Sequence, residues 1–412
     1  GTVDWQTGSI KTGTFTAVSG EGYFVNTSGG VSTANLPAGS AGAIVSFSDY
    51  TRTFGTNTLT ITPNGSEKIG GVAASIYLSV NGQALTLVYV DATEGWINIQ
   101  NAEDTEEGIV PAFITATGGT ITCSGDYKIH TFTGPGTFTV CSAGNPLGSS
   151  TVEYLVAAGG GGGGSNGGGG GAGGFRFAAP SLSPLCYPAK PLSAPSSLTA
   201  TVTSYPITVG GGGSNTTYGT GTSTSGANSV FSTITSAGGG HGGSAPSPFP
   251  GAGAGGGSGG GGGGASLAGG PGNSPAVSPS QGNDGGSSAS PNANYGGGGG
   301  ALAVGTNGVD PSPGGPGGVG GGLPSGFGTS GESSGGYYYF SGGGGGGTNV
   351  SPGGPPGGSG GLGGGGNGSL QEATGEAGTA NTGGGGGGSA GGSSPGSGAG
   401  GSGIVIIRYK FQ

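Results

Sequence analysis

The chain has 412 residues, 116 of them glycine, and only 6 % are charged, with 8 Lys+Arg against 17 Asp+Glu for a formal net charge of −9. Residues 1–150 hold 11 of the acids and 4 of the bases, so no basic stripe exists to neutralise nucleic-acid phosphates, and no run approaches the ~18 apolar residues of a membrane-spanning helix. The three cysteines are too few for a disulfide scaffold and lack zinc-ligand spacing; no signal peptide is evident, and Gly1 in place of Met suggests a processed chain or a piece of a longer one.

Residues 1 to about 112 read as an all-β domain. β-Branched and aromatic segments recur at 13–18, 22–26, 43–48, 58–62, 72–80, 84–90 and 96–100, punctuated by Gly, Asn, Pro and Ser, as in a β-sandwich or jelly roll. Period-two reading assigns Phe24, Val45, Phe47, Leu59, Ile61, Ile76, Leu78, Leu85, Leu87, Tyr89, Ile97 and Ile99 to its core. The ordered motifs GYFV (22–25), LPAGSAGAIVSFSDY (36–50), NTLTITPNGS (57–66) and YVDATEGW (89–96) resemble a β-domain common in tail-fibre proteins of bacteriophages, especially marine ones. The acidic run 102–110 lacks calcium-loop spacing and reads as a solvated linker.

Residues 113–158 form a small β-hairpin unit in this reading, with Tyr127–Phe132 and Thr137–Cys141 alternating across a Thr-Gly-Pro-Gly turn. Cys123 and Cys141 flank it, either as cross-strand disulfide partners or as free packed thiols. The strand TVEYLVAA (151–158) then runs directly into glycine. Uninterrupted blocks recur at 159–164, 167–171, 210–213, 259–264, 296–300, 342–347, 363–366 and 383–388, and 93 of the glycines follow residue 158.

Such blocks are either flexible tethers or short extended helices of the polyglycine II type, in which six residues span roughly 19 Å. Those helices make no internal hydrogen bonds, so their N–H and C=O groups point outward in three directions and need neighbouring helices as partners. Near-constant block length, scarce charge and the apolar strands at both ends favour the bundle, residues 159–412, closed by a terminal strand at 403–411. Pro/Ser-rich residues 175–197 form an insertion, 198–209 a further strand, and no comparable strand is expected again before the terminal one.

The segments GGTITCSGDYKIHTFTGPGTFTV, VEYLVAAGGGGGG and GGSGIVIIRYKFQ resemble glycine-rich modules at the ends of phage fibres, similar to the polyglycine-sandwich adhesins that cap long tail fibres. Those adhesins are often separate polypeptides, whereas this module is continuous with its β-domain. The resemblance implies a distal tail-fibre, receptor-binding protein of the virion, extracellular, homotrimeric, and directed at a host surface glycan or outer-membrane protein. The competing function is a structural fibre or extracellular filament subunit in which the glycines are a stiff spacer.

The residues suggest no catalysis. Gly-x-Gly-x-x-Gly occurs only because glycine is everywhere, His130 and His241 stand without catalytic or metal-ligand neighbours, and His130 is expected to face solvent. No catalytic residue, metal site or cofactor is assigned, nor membrane insertion or nucleic-acid binding. If the blocks are rods, recognition belongs to the loops between them, with Tyr337, Tyr338, Tyr339, Phe340, Tyr295, Phe327 and Phe249 as candidate receptor contacts and edge-covering as the alternative role.

Overall fold

The computed structural model describes residues 2–102, 111–145, 148–218, 221–245, 251–264, 266–289, 294–309, 313–349, 356–391 and 396–412. It divides into two units, Gly1–Val110 and Pro111–Gln412, and its described residues are all-β, with two short 3₁₀ turns among them. The acidic run 103–110 lies outside the described residues.

In the first unit the predicted alternation is met by a chain that crosses repeatedly between two sheets. Asp4–Trp5, Glu21–Val25 and Ile44–Asp49 lie parallel in one sheet, while Thr14–Thr16, Ser32–Asn35 and Leu59–Thr62 lie parallel in the other. Antiparallel strands then close each sheet: Ile76–Leu78 on the second, Ala84–Asp91 and Gly95–Ala102 on the first. The two-sheet layering is that of a sandwich, but the winding is a parallel coil and not the Greek keys of a jelly roll. Val45, Phe47, Leu59, Ile61, Leu78, Leu85 and Leu87 fill the core as predicted, with Ile76 and Tyr89 at its edge.

Three core assignments are corrected. Tyr23 and Val25 are buried in place of Phe24, and Trp96 is buried in place of Ile97 and Ile99, the latter 59 % exposed. Both strands carry apolar residues on both faces, so the period-two signal does not fix which face is inside. Phe24 instead packs outside, its ring centroid 4.9 Å from Trp5 and 6.4 Å from Tyr50.

The second unit is built on two sheets. The central one has the order Thr120–Ser124, Tyr127–Phe132, Ile404–Lys410, Thr151–Ala157, Phe175–Ala178, with Leu198–Thr199 paired to the end of Thr151–Ala157. The terminal strand thus sits in the middle, bonded to both Tyr127–Phe132 and Thr151–Ala157. Ile404, Val405, Ile406 and Ile407 are all fully buried because both faces of this sheet are covered. One face meets the second sheet, ordered Ile114–Thr117, Gly136–Ala143, Ser204–Thr208, Ser229–Phe231, Ile234–Ser236, through Val405, Ile407, Phe138 and Phe231. The other meets the 179–192 insertion and a small sheet, Gly321–Leu323, Tyr337–Phe340 and Glu332–Ser334, through Ile404, Ile406, Phe177 and Phe340.

The expected hairpin is therefore absent. Tyr127–Phe132 and Gly136–Ala143 belong to different sheets, and the Thr-Gly-Pro-Gly turn arches between them, because each strand has other partners. Segment 113–158 shares both sheets with residues beyond 200. The 198–209 strand is likewise two pieces in two sheets, and short strands at 229–231, 234–236, 321–323, 332–334 and 337–340 occur where none was expected. Cys123, Cys141 and Cys186 are exposed free thiols.

The glycine blocks are segments without β or helical assignment, extended in the main but turning at 362–364, and residues 167–173 show how they are held. Gly168 and Gly171 donate to the carbonyls of Gly243 and Gly240, Gly169 and Ala172 to Gly296 and Gly299, and Gly167, Gly170 and Gly173 to Ser389, Gly386 and Gly383. Their carbonyls repeat the period: Gly168 and Gly171 accept from Gly164 and Gly161, Gly167 and Gly170 from Gly347 and Gly344, Gly169 and Ala172 from Gly261 and Ser258. All are 2.7–3.1 Å, and six neighbouring rods surround this one. That threefold bonding is what packed polyglycine II-type rods require. It also explains the glycine: a Cβ on Gly168, Gly169 or Gly170 would lie 2.2, 2.1 or 2.1 Å from the carbonyl oxygen of Gly261, Gly344 or Gly161, three different neighbours.

Candidate functional site

The rod register defines two ends. Next to the sheets, Ala158 bonds Gly174, Gly173 bonds Gly383, and Gly403 bonds Gly210; at the far end Gly164 bonds Gly168 and both Gly167 and Gly347 join the same layer. Among the described residues, 165–166, 215–218, 221–222, 244–245, 348–349, 370–374 and 390–391 lie at that far end. Bulky groups have no room inside the bundle; His241, Val304 and Val319 stand on outer faces of peripheral segments, and the other large side chains belong to the end segments and the sheets.

The described part of the loop end is polar and internally bonded. Asn166, with φ +51°, makes the tight turn between the first two rods, and its Oδ1 accepts from the Tyr295 hydroxyl (3.4 Å) and the Gly391 N–H. Asn294 Nδ2 donates to the Val309 carbonyl at 2.6 Å while its Oδ1 accepts from Thr348. Thr216 N–H donates to Ser397 Oγ at 3.0 Å, tying the ends of two loops far apart in sequence. Tyr295 is 1 % exposed beneath this layer, and burial, with a smaller contribution from the Tyr218 phenol, pushes its pKa up to about 12. Tyr218, Val309 and Leu267 are exposed at 39 %, 52 % and 38 %.

The sequence-predicted aromatics do not gather here. Tyr337–Phe340 is the middle strand of the small sheet at the opposite, sheet end. Phe340 and Phe327 are each 1 % exposed, Phe327 standing edge-on to Phe177 at 5.4 Å, and Tyr337 and Tyr338 are half-buried against the same core. Tyr339 lies over Gly322, where a Cβ would come 2.7 Å from its ring. Tyr337, Tyr338 and Phe340 thus belong to the core on the outer face of the central sheet, while Tyr339 packs on the small sheet itself. Tyr295, Phe327 and Phe340 are too buried to touch a receptor, and Phe249 lies outside the described residues. The polar turn residues Asn166, Asn294 and Thr348 were not singled out in the sequence; their one signal was an Asn or Thr adjoining a glycine block.

Two polar features sit near the sheets. Glu153 and Arg408 form a buried ion pair, with Ser181 N–H donating to Glu153 Oε1 at 2.7 Å and the guanidinium lying 3.4 Å over the Tyr127 ring. A cleft of ≈ 240 Å³ lined by Tyr127, Ser149, Glu153, Ser181 and Lys410 opens beside it. His130, expected at the surface, is fully buried: one ring nitrogen meets the Gly118 carbonyl at 2.7 Å and the other the Tyr409 hydroxyl at 3.1 Å. The alternation was read with the wrong face inward. Among the described residues no group of three His, Cys, Asp or Glu is placed to hold a metal ion, and no helix is long and apolar enough to cross a membrane.

The profile of a glycine-rich domain family matches residues 131–410, which include the glycine blocks and the central-sheet strands Thr151–Ala157, Phe175–Ala178 and Ile404–Lys410. The chain belongs to the glycine-rich domain family. Comparison with curated proteins returns no match. The match begins inside Tyr127–Phe132 and ends in the terminal strand that pairs with it, within the unit Pro111–Gln412.

Proposed function

We propose that this glycine-rich domain protein is the receptor-binding adhesin of a bacteriophage tail fibre, acting by binding and not by catalysis. Its target is a host surface glycan or outer-membrane protein, and its binding residues lie in the loops at the end of the rods away from the sheets. The observation that carries the reading is the bonding of rod 167–173 to six neighbours, which makes a stiff platform whose interior admits no side chain. The exposed Tyr218 and Val309, set among Asn, Ser and Thr side chains, offer the mixed apolar and hydrogen-bonding surface that such recognition uses.

The test is competition for adsorption. Purified chain should block infection of the cognate host by a phage carrying it, and a variant with 215–222 and 370–374 replaced by Gly-Ser turns should lose the effect while keeping its unfolding transition. A folded chain that leaves infection unchanged makes the slab a spacer.

A further inference from the structure

The first unit carries a feature with no part in the reading above. On the outer face of its five-stranded sheet, Trp5, Gly22, Ser46, Thr86 and Gln100 stand opposite one another in a single cross-strand row. Neighbouring strands are about 4.8 Å apart, so the row runs some 19 Å across the sheet. Its middle members are small, which leaves a trough of ≈ 180 Å³ walled by Ile44 and Ile99. At one end the Trp5 indole packs against Gly22, where a Cβ would sit 2.8 Å from the ring; glycine inside a strand marks such a close approach. Phe24 supports the indole at 4.9 Å, and Trp5 remains 39 % exposed. On the floor, Ser46 Oγ and Thr86 Oγ1 share one hydrogen bond of 2.8 Å, leaving a hydroxyl hydrogen and lone pairs unspent. Gln100, exposed, adds an amide that both donates and accepts.

We propose that this trough binds a short neutral oligosaccharide. A pyranose ring has one face of C–H groups, suited to the indole, and a rim of hydroxyls that both donate and accept, suited to hydroxyl and carboxamide groups. No lining residue is charged, so neither an acidic glycan nor a phosphate finds a counter-ion there. The proposal stands independently of the loop end of the rods.

The chain has two tryptophans, and Trp96 is fully buried, so a change in exposed tryptophan emission reports on Trp5. Full-length protein is titrated with cellotriose, maltotriose and triacetylchitotriose, with trigalacturonate as the acidic comparison, by fluorescence and by calorimetry. At least one neutral trisaccharide should alter Trp5 emission. Trp5→Ala should weaken its binding by about tenfold, the scale of one aromatic stack. Gln100→Ala, at an exposed site that folding does not depend on, should weaken it by about two- to tenfold, the scale of one hydrogen bond. The proposal is overturned by silence from all three neutral probes, by preference for trigalacturonate, or by binding that survives both substitutions. Sugar-independent self-association abolished by Trp5→Ala would equally overturn it, making the face a contact between copies.

Discussion

Gly211 and Gly212 are adjacent in one rod and differ in what surrounds them. A Cβ on Gly211 meets nothing within 4 Å, whereas on Gly212 it would lie 1.9 Å from the Gly400 carbonyl oxygen. Gly212→Ala should therefore cost about 1–3 kcal/mol as the rods are forced apart. Gly211→Ala should be neutral or stabilise by up to about 1 kcal/mol, since alanine has fewer unfolded conformations to lose. Denaturant unfolding of the two variants separates rod packing from any general intolerance of side chains. His130 makes a second prediction at this scale. Burial holds its pKa below the ordinary 6.5, outweighing the Gly118 carbonyl, so the folded state favours the neutral ring. The unfolded chain binds the proton more readily, and this contribution to stability, complete above the unfolded pKa, is lost as pH falls through the folded value. Unfolding measured at about pH 7 and about pH 5 should show a loss in the wild type that His130→Gln lacks. Glu153→Gln, which strips Arg408 of its buried partner, should destabilise by about 3–5 kcal/mol at neutral pH.

Among the elements, the terminal strand and the aromatic strand Tyr337–Phe340 are the ones whose roles the structure decides. Replacing Tyr337, Tyr338 and Tyr339 by Ser should lower the unfolding temperature by several degrees, because Tyr337 and Tyr338 pack against the core that holds Ile404 and Ile406 and Tyr339 packs over Gly322; unchanged melting would return them to the surface role first expected. Much of this level was legible beforehand. The unbroken Ile404-Val405-Ile406-Ile407 reads as an apolar terminal strand, and it is one, buried on both faces. Its partners were not readable, because pairing with Thr151–Ala157 is set by packing across some 250 intervening residues and not by local pattern. Phe24 was misplaced because Trp5 and Tyr50 give it an apolar environment outside the sheet as well. Gly321–Leu323 and Ser229–Phe231 escaped notice because they are too short to show alternation. As for the candidate site, the alternation of rods and turns was legible from block length, but aromatic content was a poor guide to exposure. A tyrosine between glycine rods finds its lowest free energy by covering them.

For the whole molecule, the sheets and rods form one fastening: Thr151–Ala157 leads into the first rod, the last rod leads into Ile404–Lys410, and those two strands pair. We propose that three copies associate, as the fibre reading requires, and sedimentation equilibrium of the full chain should give a trimer; a monomer at every concentration would contradict it. Everything else rests on the glycine half being a bonded solid and not a tether. Hydrogen exchange resolved to single amides tests this most directly. Gly168 to Gly173, each donating to a neighbouring rod at 2.8–3.1 Å, should exchange orders of magnitude more slowly than free glycine peptides. Uniform exchange at the rate of an unstructured glycine chain would contradict the account.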